Sequence, residues 1–316
     1  MFRILRFPAV VVLVALPMLA LARPPLIYHQ TVNMTANQGA NVKLMLGSPD
    51  VQIAVKPVKS VTVTVDIWAN ASSKDDKAKI VNRLAPTTSM QGDDVLVRSP
   101  ENHGSHWSFG WHQSPEVLVS VVMPPSMNVN YRLGSGDFRF DNAGAPTAIN
   151  GESGSGDVMV HSASKQLVIK AGSGDLDIGQ NGNADQAKLT AGSGDVRFEG
   201  TVQTLDIHTG SGDMNINAGM HSARLNAGSG DITAHWRNLS QGSSLSADAG
   251  SGDVMFYFPD GTALTGRLST GSGDMESQSP GTLSSEHHVF TLSGGNGAVT
   301  LDASTGSGDL ILRKGG

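Results

Sequence analysis

The sequence predicts an all-β, single-domain β-solenoid: a β-helix-like stack of two-strand coils, with an N-terminal capping region that contains one short helix. Three observations support this fold class. The tetrapeptide Gly-Ser-Gly-Asp recurs nine times, mostly at intervals of 18 to 22 residues, so each coil is expected to have that length. Short segments of alternating apolar residues flank each copy, as in half-buried strands. The phase of this alternation changes across the motif.

The phase change predicts that the motif is a corner between two strands. Leu189 and Val196, on either side of one copy, lie seven positions apart, and Leu225 and Ile232 repeat this spacing. Residues an odd number apart on one straight strand would face opposite sides, so the chain must bend or bulge between them. We expect the glycines to supply left-handed or otherwise strained backbone angles. We expect the Ser and Asp side chains to bond to backbone N–H groups one or two residues on.

Each coil is completed by a second, looser turn, expected for example at residues 179–183 and 218–222. Residues 47–50, Gly-Ser-Pro-Asp, are predicted to form an early, degenerate corner that must differ because proline cannot adopt a positive φ. Residues 295–298 are interpreted as a late member that has lost its Asp and is a candidate for the opposite side of a coil. One coil alone buries too little apolar surface to fold, so stability is expected to come from stacking at about 4.8 Å.

A segment between the early corner and the regular repeats is expected to cap the open end of the stack. It contains a predicted helix near Asp75–Leu84, opened by Ser72 or Ser73. Its predicted strands are Val61–Trp68, Asp94–Arg98, Val117–Met123 and Asn128–Leu133. Residues 276–290 and a closing strand at Leu310–Leu312 are expected to serve the other end. The predicted domains are a signal peptide (1–22), strands and capping region (23–133) and the repeat solenoid (134–316).

The N-terminus predicts export. Arg3 and Arg6 precede an apolar run that ends in a small-x-small cleavage site at residues 20–22, so the mature chain is expected to begin near Arg23. Cleavage takes the net charge from −6 to −8, which argues against nucleic acid and anionic membranes as partners. The chain contains no cysteine, and no later segment approaches 18 consecutive apolar residues, so no transmembrane segment is expected in the mature chain.

A family resemblance rests on residues 117–124 (Val-Leu-Val-Ser-Val-Val-Met-Pro), followed by Val129–Leu133 and the Gly-Ser-Gly-Asp units. Over roughly residues 40–312 the sequence resembles the bacterial "putative adhesin" family of exported β-solenoid domains. The resemblance implies the solenoid fold and a periplasmic, extracellular or cell-surface location. It transfers no catalytic or binding residue.

The repeated aspartates are expected to form a column along one edge of the stack. Like charges about 5 Å apart repel unless each carboxylate is hydrogen-bonded or a cation lies between them. A structural turn role is the favoured interpretation. Calcium is the alternative, although the motif lacks the leading Gly-Gly and nine-residue period of calcium-binding β-rolls. The column comprises Asp137, Asp157, Asp175, Asp195, Asp213, Asp231, Asp253, Asp274 and Asp309.

The loop at residues 102–112 is a compositional outlier, rich in histidine and aromatic residues. Its aromatic side chains are expected to seal the end of the solenoid while the histidines face water. The alternatives are a contact loop for a glycan or protein, and a transition-metal site formed by the histidines. The residues concerned are His103, His106, Trp107, Phe109, Trp111 and His112.

The sequence favours a non-enzymatic role. A nucleophile motif is needed once, whereas Gly-Ser-Gly-Asp recurs nine times and lacks the final glycine of G-x-S-x-G. We therefore expect a structural or adhesion scaffold of the cell envelope with an unidentified glycan or protein partner and no cofactor. The alternatives are a calcium-stabilised surface adhesin and a carbohydrate-active β-helix enzyme. For the enzyme, Glu152 with Asp157, or Asp175 with Asp177, would be the candidate carboxylate pair.

Overall fold

A computed structural model describes residues 23–35, 37, 39–100, 114–125, 127–141, 148–284, 288–295 and 297–315. The fold is nearly all-β, with one helix, as the sequence predicted. Its elements are, in chain order, β1 (Leu26–Thr35), β2 (Asn41–Leu46), β3 (Asp50–Val55), β4 (Ser60–Trp68), α1 (Lys74–Leu84), β5 (Thr87–Gln91), β6 (Asp94–Arg98), β7 (Glu116–Met123), β8 (Asn128–Leu133), β9 (Phe138–Asp141), β10 (Ala148–Ser153), β11 (Val158–Ser162), β12 (Gln166–Ala171), β13 (Leu176–Ala191), β14 (Val196–Thr209), β15 (Met214–Ala227), β16 (Ile232–Trp236), β17 (Ser244–Ala249), β18 (Val254–Phe258), β19 (Leu264–Thr270), β20 (Met275–Ser277), β21 (Gly281–Leu283), β22 (Val289–Ser293), β23 (Val299–Thr305) and β24 (Leu310–Lys314).

The strands form two walls around one apolar interior. In the first wall the pairing order is β5-β6-β2-β8-β10-β12-β13-β14-β15-β17-β23-β19-β22-β21. In the second wall it is β1-β4-β7-β3-β9-β11-β13-β14-β15-β16-β18-β24-β20. Pairing between successive coils is parallel, and among the described residues antiparallel pairs occur only towards the two ends. Because β13, β14 and β15 take part in both walls, all 24 strands belong to one hydrogen-bonded sheet.

The predicted change of phase at the corner is confirmed by burial. Leu189 and Val196 are both inward and almost fully buried although they lie seven residues apart. Inward side chains of successive coils stack in register, for example Leu176 on Val196 and Leu189 on Ile207. The interior is therefore one continuous column of apolar side chains, in which each coil covers the apolar surface of the next.

The expected reason for the corner glycines is wrong. Glycines with left-handed φ occur among the described residues, but none of them belongs to a Gly-Ser-Gly-Asp corner. Close stacking is the actual reason. A Cβ added to Gly194 would lie 2.0 Å from the carbonyl oxygen of Gly174 in the neighbouring coil, and one on Gly192 would lie 2.3 Å from the carbonyl oxygen of Gly172. The corners lie so close that only glycine fits.

The early corner at residues 47–50 does not need a glycine at every glycine position of the motif. The predicted corner at residues 47–50 joins β2 to β3 and lies under the corner at residues 134–137. A Cβ on Gly47 would meet no described atom within 4 Å. Pro49 stands at the third position of the motif, where the other corners have their second glycine, and its carbonyl oxygen faces Gly136 above it. A side chain is tolerated at this corner because no further Gly-Ser-Gly-Asp corner lies beneath it.

The expected local hydrogen bonds of the motif aspartates are also wrong. Every motif aspartate except Asp274 instead accepts a bond from the next coil: Asp175 Oδ1 accepts the backbone N–H of Asp195 at 2.8 Å, and Asp195 Oδ1 accepts that of Asp213 at 2.8 Å. The same bond, 2.7–3.0 Å long, links every neighbouring pair from Asp50 to Asp274. We call this series the Asp ladder. It lowers the cost of stacking like charges, because each carboxylate receives a backbone donor.

The prediction of looser turns at residues 179–183 and 218–222 is wrong. Residues 176–191 and 214–227 are continuous strands, β13 and β15, that pass from the second wall to the first. The glycines that suggested a turn are therefore within strands. At position 219 the neighbouring coil leaves room only for glycine, because an added Cβ would lie 2.8 Å from the carbonyl oxygen of Arg237.

At both ends the order of coils differs from the order in the chain. The coil β23–β24, which comes last in the sequence, lies between β17–β18 and β19–β20. The closing strand predicted at Leu310–Leu312 is thus internal rather than terminal, and β20, β21 and β22 lie at that end. Likewise β2–β3 lies between β6–β7 and β8–β9. Coils near both termini are held by strands on two sides, which opposes fraying.

The capping region agrees with the sequence in its main elements. The predicted strands correspond to β4, β6, β7 and β8, and the predicted helix to α1, where Ser73 is the N-cap and accepts the N–H of Asp76. Strands β1 and β5 were missed. Both lie outermost in their walls, and their exposed residues weaken the apolar alternation by which a strand is recognised.

We predict that Gly194→Ala strongly destabilises the protein, because the new Cβ would overlap the carbonyl of Gly174 and force two coils apart. A cost of about 2–3 kcal/mol is expected from overpacking of this kind. Gly47→Ala is the matched control, since its Cβ would meet no described atom within 4 Å, and it should change stability by less than about 0.5 kcal/mol. Urea unfolding monitored by circular dichroism measures both. Equal effects would contradict the stacking explanation.

We predict that Asp195→Ala costs about 1 kcal/mol, because the N–H of Asp213 loses its acceptor. Asp195→Asn should cost less, since an amide oxygen still accepts. Asp274 ends the ladder and accepts no bond from any described residue, so Asp274→Ala serves as the control and should be close to neutral. If chemical unfolding shows the same loss at both positions, the ladder makes no contribution to stability.

Candidate functional site

The predicted aspartate column exists as the Asp ladder, along one edge of the stack. Asp309 lies between Asp253 and Asp274, in the order of the coils rather than of the chain. One oxygen of each laddered carboxylate accepts a backbone N–H, which supports the structural interpretation. Among the described residues, no group of three or more His, Asp or Glu side chains converges as a metal site. The calcium alternative stays a prediction.

The predicted contact loop lies outside the described residues. Its six histidine and aromatic residues, His103, His106, Trp107, Phe109, Trp111 and His112, fall within positions 101–113, between β6 and β7. The capping, contact and metal interpretations of this loop therefore stay predictions.

The structure does not bring the candidate catalytic carboxylates together as free pairs. Glu152 lies on the outer face of the first wall beside Arg132, whereas Asp157 lies at the corner and accepts the N–H of Asp175. Asp175 is in turn part of the Asp ladder, while Asp177 faces out from the second wall, 3.6 Å from His161. The members of each pair have different partners and lie on different surfaces.

A groove of about 400 Å³ crosses β2, β8, β10 and β12 on the outer face of the first wall. Strand alternation places it there, because Leu44, Tyr131 and Gly151 are buried while the residues on either side of each are exposed or half-exposed. We call it the ladder groove. It is lined by Lys43, Leu44, Met45, Asn130, Tyr131, Arg132, Asn150, Gly151, Glu152, Val168 and Lys170.

One side of the ladder groove is a chain of amide groups. Asn150 Nδ2 donates to Asn130 Oδ1 at 3.3 Å, and Asn130 Nδ2 donates to Asn41 Oδ1 at 3.1 Å. Asn41 donates both its side-chain and its backbone N–H to Asp94 Oδ1, each at 2.8 Å. The Asp94 carboxylate also binds Lys43 Nζ at 2.7 Å. The Lys43 ammonium, followed by the Asn41 donors, lowers the pKa of Asp94 to about 2.

The other side of the ladder groove is a chain of ion pairs. Arg132 donates from Nε and Nη2 to Glu152 Oε2 at 3.0 and 2.9 Å. Lys170 Nζ lies 3.9 Å from the other oxygen, Glu152 Oε1. Met45 continues this row next to Arg132 and is 42% exposed. These residues are in register on successive strands, so they project side by side.

The floor of the ladder groove rests on one packed aromatic pair. The Tyr131 ring stacks on Phe138 at 3.9 Å between centroids. It occupies the space that a side chain at position 151 would need, because a Cβ on Gly151 would lie 1.9 Å from Tyr131 Cζ. Burial raises the pKa of the Tyr131 phenol, so this group stays neutral. Gly151 therefore allows a large side chain to fill the interior beneath the groove.

Sequence reasoning missed the ladder groove. Its residues come from four strands spread between positions 43 and 170 and share no motif. One signal was present: asparagine recurs at positions 41, 128, 130 and 150, which the structure places on β2, β8 and β10. Only the strand register shows that these residues are neighbours.

A second cavity of about 420 Å³ lies at the edge opposite the Asp ladder, near the C-terminal end. Its walls are the connections at residues 238–241 and 259–263 together with Gly297 and Val299. Asn238 there has a left-handed φ of 51°. Because turns rather than paired strands hold most of these side chains, the ladder groove is the better-ordered candidate.

No helix in the described part of the chain has the length and apolar character needed to cross a membrane. No curated protein matches the sequence. Solved structures match in fold. A "putative lipid binding protein" from Parabacteroides distasonis has a TM-score of 0.52 and 17% identity, with 90% of this chain and 96% of that chain covered. A "putative adhesin" from Parabacteroides merdae has a TM-score of 0.52 and 10% identity, with 90% and 95% covered. A "putative adhesin" from Bacteroides fragilis has a TM-score of 0.44 and 13% identity, with 90% and 97% covered.

The two likenesses with a TM-score of 0.52 establish the fold alone. The family follows from the sequence model of Toastrack DUF4097, which matches residues 41–313 and so spans the stack from β2 to β24. The chain belongs to the Toastrack DUF4097 family.

Proposed function

We propose that the protein is a non-enzymatic, exported interaction scaffold of the bacterial cell envelope, which binds an envelope or surface partner in the manner of an adhesin. The names of two structural neighbours with the same fold, an adhesin and a lipid-binding protein, support a binding role. The predicted signal peptide supports export to the periplasm or the cell surface.

The main support for the proposal is that the side chains of the ladder groove are held in fixed positions. Its polar side chains project from hydrogen-bonded strands, and cross-strand bonds such as Asn150 to Asn130 and Arg132 to Glu152 hold them in place. A binding surface fixed in this way loses little side-chain freedom when a partner arrives. The stacked coils therefore act as a rigid frame for a contact surface.

The state of the carboxylates supports a non-enzymatic role. Hydrolysis of a glycosidic bond needs two carboxyl groups that face one bond, one of them free to exchange a proton. Glu152 instead lies between two cationic side chains, and Asp157 belongs to the Asp ladder. Both residues thus have structural partners.

We predict that cells expressing the full-length chain release it from the cytoplasm without residues 1–22, because the signal peptidase cleaves before Arg23. Fractionation and intact mass spectrometry test this. Substituting Ala20 and Ala22 by Arg should leave the uncleaved chain with the cells. Recovery of the wild-type protein as an intact chain in the cytoplasm would contradict the proposed location.

We predict that the mature protein co-sediments with isolated cell envelopes and releases no new reducing ends from envelope polysaccharides. A variant without residues 102–112 should retain this binding but unfold at a lower temperature, as expected if the loop caps the stack. Loss of binding in that variant would instead make the loop the contact. Failure of the wild-type protein to bind envelopes, or release of reducing ends, would overturn the proposed function.

A further inference from the structure

We propose that the ladder groove binds one strand of a neutral linear polysaccharide, laid along the solenoid axis across β2, β8, β10 and β12. This inference rests on the proposed function and names the ligand class for it.

The dimensions suit a single extended chain of sugars. The two rows that wall the groove are two residues apart along each strand, which corresponds to about 7 Å. Four strands at about 4.8 Å spacing make the groove about 14 Å long. The volume of about 400 Å³ is at the small end for ligand sites, as expected for a few sugar rings rather than a folded partner.

The groups on the walls suit hydroxyls. A sugar hydroxyl both donates and accepts, and the amide row offers both functions. The oxygen of Asn150 accepts no bond from any described residue, whereas its Nδ2 donates to Asn130. On the opposite wall, Arg132 bonds to Glu152 through Nε and Nη2, so its Nη1 donates no bond to that carboxylate. Because the strands are in register, Asn130 and Asn150 lie side by side in one row, and Arg132, Glu152 and Lys170 lie side by side in the other. Both rows therefore offer polar groups along the path of the polymer.

The charges favour a neutral ligand. Each cation of the groove has a carboxylate within 4 Å: Lys43 has Asp94, and Arg132 and Lys170 share Glu152. An anionic ligand would have to compete with these carboxylates for the same cations. A neutral hydroxyl can bond to the paired groups without separating them.

The position of the groove disfavours a peptide strand. Peptides that join a sheet bind its edge, where backbone N–H and C=O groups are unpaired. Strands β8, β10 and β12 are paired on both sides, so the groove lies on a sheet face and offers side chains only.

Binding of defined hexasaccharides to the mature protein tests this inference. The probes are neutral cellohexaose and maltohexaose and the acidic hexagalacturonate, measured by isothermal titration calorimetry. We expect at least one neutral probe to bind, with a dissociation constant that changes less than about twofold between roughly 50 and 500 mM salt. Preference for the acidic probe, with binding lost at high salt, would overturn the neutral assignment.

Substitutions place the ligand in the groove. Asn150→Ala and Arg132→Ala should each weaken binding of the neutral probe by roughly tenfold, the effect of about one lost hydrogen bond to a ligand. Arg197→Ala is the matched control, because Arg197 lies on the second wall with a similar partner, Glu199, at 3.9 Å. The Arg197→Ala variant should bind the neutral probe with the same affinity as the wild type. Thermal unfolding of each variant verifies that the fold is retained.

A variant that removes one negative charge tests whether the paired charges of the groove face the ligand. Glu152→Gln keeps the shape of the side chain but frees Arg132 and Lys170 from their shared carboxylate. It should gain roughly tenfold in affinity for hexagalacturonate and bind the neutral probe within about threefold of the wild type. Unchanged affinity for the acidic probe would show that these cations do not face the ligand and would overturn the site.

Envelope co-sedimentation separates this inference from the proposed function. If Asn150→Ala and Arg132→Ala bind envelopes as the wild type does, and no neutral probe binds, the groove assignment fails while the scaffold role stands. If the wild type binds a neutral hexasaccharide but not envelopes, the scaffold role fails while the groove assignment stands.

Discussion

The close approach of backbone to backbone at the corners is the constraint on which the rest of the structure depends. Gly194 lies so near the carbonyl of Gly174 that the distance between coils is set there by main-chain atoms alone. The Asp ladder adds a hydrogen bond at each of these contacts. Because every coil is spaced and aligned at the same edge, the strands leave the corner in register, and inward side chains meet their equivalents above and below.

The same strand register also aligns the side chains on the outer surface of the stack. Outward residues of consecutive coils also lie side by side, so a feature that no single strand possesses can build up across several strands. The ladder groove is such a feature: amides follow one row and ion pairs follow the next. The rigidity that stacking confers on the interior is thereby passed to the side chains of the groove. Architecture and proposed binding role are linked through strand register.

At the ends of the stack, the pairing of the strands themselves opposes fraying. Coils β2–β3 and β23–β24 are each inserted between two other coils. Opening either of them breaks pairing on both sides. At the N-terminal end the helix α1 and the antiparallel strands β1 and β4 complete the fold, and at the other end β21 and β22 do so. Among the described residues, the helix and the antiparallel strands are therefore found only towards the ends of the regular stack.

The amino-acid sequence by itself determined the local features of this protein. Alternation and the repeated motif predicted the strands, the corners and their superposition, since period and phase are properties of neighbouring residues. The helix and a serine cap, at Ser72 or Ser73, were predictable for the same reason, and the structure selects Ser73. The tertiary structure alone decided why the corner glycines are needed, which donor each aspartate meets, the order of the coils at both ends and the existence of the ladder groove. All four depend on which distant segments lie side by side, and that depends on pairing energies summed over the whole stack rather than on any local pattern.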